Sequence, residues 1–174
     1  GHDARAEDLR PRALTLYERF NETFWWESEG TYYLALDGEK KPVKSVASNA
    51  GHLLASGIVP LDRANRVVDR LMRPDMWSGW GVRTLSSEHK SFNPHSYHCG
   101  SVWPHDNATI AVGFLRAGRP HEATLIADGT FPPPEPCGSS RLAGRCAGVD
   151  RRHSRPAPTL HGPTAHPGPV DAAL

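Results

Sequence analysis

Met76-Trp77-Ser78-Gly79-Trp80-Gly81-Val82-Arg83-Thr84-Leu85, followed shortly by Phe92-Asn93-Pro94-His95-Ser96-Tyr97-His98-Cys99-Gly100-Ser101-Val102-Trp103-Pro104-His105-Asp106-Asn107, decides what kind of chain this is. Polar residues alternate with tryptophan and tyrosine, and glycine and proline fix the backbone between them. This is what a saccharide site requires. Flat aromatic faces pack against the apolar C–H face of a pyranose, while histidine, aspartate and asparagine bind its hydroxyls. Long loops with such a role are carried on a rigid scaffold.

The flanking sequence predicts a helical scaffold. Leu9, Ala13, Leu16, Tyr17, Phe20 and Phe24 have helical spacing, giving a helix over about 4–24 whose firm part starts at Pro11. Thr31-Tyr32-Tyr33-Leu34-Ala35-Leu36 is rich in strand formers and runs into the turn signal Asp37-Gly38. A short helix is expected over 48–56, stopping at Gly57. Another opens at Pro60, with Leu61, Ala64, Val67, Val68 and Leu71 on one side. Arg63, Arg66, Asp69 and Arg70 fall mostly on the other, and Pro74 ends it. Residues 75–102 read as loop. Two more helices are expected over about 104–117 and 121–128, separated by Gly118-Arg119-Pro120. Helices joined by short breaks suggest antiparallel pairs.

Composition divides the chain in two. All fourteen aromatic residues lie at or before Phe131, and nine of the sixteen prolines follow it. Residues 1–131 read as globular, whereas 132–174 lack the large side chains that offset ordering entropy and are expected to be disordered. Charge is balanced, at 20 basic and 19 acidic residues. That gives no footprint for nucleic acid or an anionic membrane. No apolar run is long enough to cross a bilayer. Cys99, Cys137 and Cys146 are odd in number and lack metal-like spacing, which fits a reducing, cytoplasmic setting. The opening Gly1-His2-Asp3-Ala4 has neither an initiator Met nor a signal-peptide layout, so a processed, tagged or fragmentary chain is expected.

The runs SGWGVRTLS and FNPHSYHCGSVWPHDNA, preceded in order by FNETFWWESEGTYYLALDG and SNAGHLLASGIV, resemble the C-terminal half of bacterial amylo-α-1,6-glucosidase, or glycogen-debranching-like, proteins. The resemblance covers roughly residues 12–120. It implies an all-α fold, a partial (α/α)₆ toroid of six helical hairpins, with a small β excursion near 31–36. It implies an inverting glycoside hydrolase of α-glucan, with the missing N-terminal part of the same protein as its structural partner. Tyr97, His98, Trp103, His105 and Asp106 are the substrate-binding residues it suggests. No metal or organic cofactor is implied.

Inverting hydrolysis needs two carboxyl groups about 6.5–9.5 Å apart. The resemblance places the general acid upstream of this chain. It places the general base in an RLPELF-like stretch before AGFDR. Here Arg141-Leu142-Ala143-Gly144 precedes Ala147-Gly148-Val149-Asp150-Arg151, so Gly144 stands where the glutamate belongs. Both catalytic carboxyl groups are therefore expected to be absent, and the chain inactive alone. The aromatic-free tail, as in Pro158-Thr159-Leu160-His161-Gly162-Pro163, suggests a reading-frame shift near 129–146, partly restored around 147.

Other readings stand beside these. A non-catalytic carbohydrate-binding remnant keeps the fold and changes the function. A weaker alternative is a metal-dependent hydrolase using His95, His98 and His105, although their spacing is not that of a helical metal motif. Trp25, Trp26, Tyr32 and Tyr33 are read as packing residues rather than sugar contacts. Glu27 and Glu29 are read as solvated or capping, and His52 as buried and hydrogen-bonded. Arg83 is read as a brace of the loop and Cys99 as space-filling. With apolar helix faces left open, the isolated chain is expected to be marginal in solution.

Overall fold

The computed structural model describes residues 2–130, and the expectations for 132–174, including Gly144, lie outside them. Five helices are present among the described residues, α1 Asp3–Phe24, α2 Asn49–Ser56, α3 Leu61–Leu71, α4 Pro104–Arg116 and α5 Pro120–Thr130. Four two-residue strands lie between α1 and α2. Trp25–Trp26 (β1) pairs antiparallel with Thr31–Tyr32 (β2), and Ala35–Leu36 (β3) with Pro42–Val43 (β4). The β excursion is thus wider than 31–36, spanning two small hairpins. The second turns where Asp37 Oδ1 accepts the Glu39 and Lys41 backbone N–H groups.

Turn chemistry explains the helix ends. Gly57 ends α2 at φ +79°, a left-handed conformation that costs glycine nothing. Pro104 and Pro120 stand at the first positions of α4 and α5, where no backbone N–H is needed. Pro11 lies inside α1, whose start at Asp3 agrees with the 4–24 span, with the helix continuous through Pro11. Expectation and structure differ on the face of α1. Leu9, Leu14 and Leu16 are exposed, and only Tyr17, Phe20, Asn21 and Phe24 meet the body. Asn21 anchors the helix: it donates to the Ile58 carbonyl at 2.9 Å and accepts from the Tyr32 hydroxyl. Burial pushes the Tyr32 phenol up to about 12.

The core gathers Ala50 and Leu54 of α2, Ala64, Val67, Val68 and Leu71 of α3, Ile110 and Phe114 of α4, and Ala123 and Ile126 of α5. Tyr32, Val46, Met76 and Val82 complete it. Leu61, expected on the same side of α3, faces solvent, and Arg70, expected outside, is buried. Arg70 meets Asp75 through both terminal nitrogens at 3.0 Å and Glu29 through Nε at 2.8 Å. Glu29 is therefore an ion-pair partner rather than a solvated cap.

α2 and α4 touch main chain to main chain. A Cβ on Gly113 would lie 2.8 Å from the Gly51 carbonyl oxygen and 3.0 Å from the Ala55 nitrogen. Gly113→Ala should therefore cost about 1–3 kcal/mol by overpacking. Urea denaturation of the variant checks this, and an unchanged midpoint would contradict the close contact. Among the described residues, no helix is long and apolar enough to cross a membrane.

Candidate functional site

The run from Trp80 to Ser86, expected as open loop, is buried throughout. It is not a loop over the surface because its backbone groups find partners inside. Ser86 N–H donates to the Val46 carbonyl at 3.0 Å, and Thr84 N–H to that of Ser101 at 2.9 Å. Asn107 of α4 brackets Val82, accepting its N–H at 2.7 Å and donating to its carbonyl at 3.1 Å. A third bond runs from Asn107 Nδ2 to the Trp103 carbonyl at 3.0 Å. Arg83, also buried, donates to the Pro74 carbonyl at 3.2 Å and lies 6.0 Å from the Phe92 ring centre. Its expected role as a brace agrees with these contacts.

Gly100 turns the chain back toward α4 at φ +141°, and a Cβ there would meet the Phe92 ring at 2.4 Å. That return sets four rings together ahead of and on the first turn of α4. Tyr97 lies 4.8 Å from both His98 and Trp103, His98 lies 5.4 Å from Trp103, and His105 stacks on Trp103 at 5.2 Å. Tyr97 is 69% exposed, and His98 and His105 are also open to solvent, while Trp103 is half-buried. The Trp103 indole N–H has no hydrogen-bond partner among the described residues. This is an aromatic, ring-edged surface over a buried indole N–H.

Asp106 follows on α4, buried to 6% exposure. Its Oδ1 meets Nε2 of His52 on α2, while Oδ2 is buried without a partner among the described residues. His52 is hydrogen-bonded as expected but not buried, since its side chain is 44% exposed. The pairing with Asp106 was missed because 54 positions separate the two, and no local pattern signals it. His52 also lines a cleft of about 300 Å³ with Phe20, Phe24, Tyr33, Ser45 and Asn49.

Among the described residues, no group of three or more His, Cys, Asp or Glu side chains could hold an ion, so the His95, His98 and His105 alternative has no geometry behind it. His98 and His105 pack on Trp103 instead. Trp25 is a packing residue too, its ring covered by the guanidinium groups of Arg63 at 4.5 Å and Arg66 at 5.0 Å. Trp26 stacks on Tyr33 at 5.2 Å. Glu27 accepts from the Trp25 indole and pairs with Arg66, and these contacts hold its carboxyl below the usual range.

The helical architecture is consistent with part of a helical glycosidase domain. The chain belongs to the mannosylglycerate hydrolase MGH1-like glycoside hydrolase domain family, whose sequence profile matches residues 1–132. Among solved structures it is similar to a GH63 mannosylglycerate hydrolase from Thermus thermophilus. In the glucose complex the identity is 22% and the TM-score 0.56, covering 62% of this chain and 27% of that one. The Tris complex gives the same identity and TM-score, over 26% of that chain. An uncharacterized conserved protein from the same organism matches at 22% identity and TM-score 0.55, over 62% of this chain and 28% of that one. The chain thus spans about a quarter of the length of these structures. No curated protein matches it.

Proposed function

We propose that this chain is the late part of an (α/α)₆ glycosidase barrel, contributing one wall of a saccharide pocket and inactive by itself. The observation that carries the reading is the ring cluster at α4, where Tyr97, His98, Trp103 and His105 stand together beside Asp106. Stacked, partly exposed rings offer faces and edges to a pyranose, and the neighbouring polar atoms suit its hydroxyls. The substrate class is an α-glucan of the glycogen type, drawn from the motif resemblance. The other wall belongs to an upstream segment of the same protein.

An inverting mechanism takes two carboxyl groups, and the chain is expected to supply neither. By the motif resemblance, Gly144 stands where the general base would be. Loss of acid–base help worth roughly 10²–10⁴-fold per group leaves nothing measurable. No glucose should be released from a branched dextrin, and detectable release would refute the inactivity.

Saccharide binding is tested separately, by titrating the chain with maltotriose and following tryptophan fluorescence. A saturable response is expected, weakened roughly tenfold by Trp103→Ala, or about 1.4 kcal/mol. Equal binding by the variant would remove the ring cluster from the site. A second reading, hydrolysis of a small mannosylglycerate-like glycoside, is favoured by the description of the matching family. Titration with α-mannosylglycerate decides between them, since the α-glucan reading expects the tighter response from maltotriose.

A further inference from the structure

We infer that His52 is a sugar-binding residue of this site, presenting Nδ1 as a fixed acceptor for a ligand hydroxyl, and that Asp106 acts through it as a positioning residue. The inference rests on the saccharide reading above and adds a residue from a different helix. It starts from what the Asp106 carboxylate can reach. Its residue is 6% exposed, and Oδ2 is buried without a partner among the described residues. The hydrogen-bond contact of the carboxylate runs through Oδ1, to His52 Nε2. A ligand in the cleft meets the imidazole, which lines it, whereas Asp106 does not line it.

Donor and acceptor bookkeeping then sets the ring. An ionised carboxylate only accepts, so Nε2 must carry the hydrogen of the contact. A neutral imidazole so held has a bare Nδ1, which accepts. No hydrogen bond to Nδ1 is found among the described residues, and the side chain is 44% exposed. The same ring lines the cleft with Ser45, Asn49 and Tyr33, polar groups of the kind that bind the remaining hydroxyls of a sugar. The volume of that cleft, about 300 Å³, lies at the lower end of the range for small-ligand pockets. His52 thus stands where the cleft and the α4 carboxylate meet.

Two isosteric variants separate the two ends of the ring. In His52→Asn the amide oxygen can fall near Nδ1, keeping an acceptor toward the ligand while losing reach to Asp106. In His52→Gln the amide falls near Nε2, keeping the Asp106 contact while losing the ligand-facing atom. Maltotriose titration of both, with thermal melts as a folding control, is the experiment. The asparagine variant should bind at least threefold tighter than the glutamine variant, although the glutamine variant melts closer to wild type. Equal affinities, or tighter binding by His52→Gln, would show that His52 serves only to pack Asp106 and would overturn the inference. Absence of any saturable response from the wild-type chain would refute the saccharide reading itself, and this inference with it.

Discussion

Asn107→Ala is expected to cost about 3–6 kcal/mol, much of the stability of a domain this size. The side chain is fully buried and makes three hydrogen bonds, two of them to the backbone of Val82. Val82 is itself fully buried, so water cannot replace the lost partner. Each orphaned backbone group costs about 1–3 kcal/mol, and the cavity left by the amide adds to it. Asn107→Asp should cost at least as much, because a buried carboxylate would face the Val82 and Trp103 carbonyl oxygens with no proton to donate. Urea unfolding of the three proteins checks the order. An alanine variant with the wild-type midpoint would mean that the 75–86 segment is held by other contacts.

Asp75→Ala should lose about 3–5 kcal/mol by stranding the buried Arg70 guanidinium with Glu29 alone. A combined Arg70→Met, Asp75→Leu variant should lose less than either single change, since it removes both charges together. Acid titration gives a second readout. Burial alone would raise the Asp75 carboxyl, but hydrogen bonds from Arg70 and Ser86 and the Arg70 charge outweigh it and hold it below the ordinary value. A folded value below the unfolded one, about 3.9, means that the stabilisation is full above that pH. It is lost as pH falls through the lower folded value. Asp75→Asn should flatten this part of the stability profile, and an unchanged acid limb would assign the effect to other carboxylates.

Much of the scaffold was legible because its signals are local. Gly57, Pro60, Pro104 and the Gly118-Arg119-Pro120 break mark helix ends through their own backbone limits, and the helices fall there. Arg70 was misplaced because helical spacing reports only which residues share a face. It cannot report that Asp75 and Glu29 make that face interior for a cation. The 80–86 segment was misread for a similar reason. Glycine, serine and threonine look like surface loop until Asn107, Val46 and Ser101 are known to receive its backbone. The ring cluster could be read from composition, whereas the Asp106 partner could not, since nothing near residue 106 points to residue 52.

The glycine contact between α2 and α4 has a meaning for how such a site drifts over time. Most helix pairs are spaced by whatever side chains they present, so exchange in the core shifts the separation. Between Gly51 and Gly113 there is no such layer, and the separation is a constant of the main chain. His52 is the next residue after Gly51, and Asp106 lies two turns before Gly113 on the same helix. Their register is set largely by this backbone contact, so exchanging Val67, Leu71 or Ile126 for other apolar residues should disturb the pair less than a change at Gly51 or Gly113.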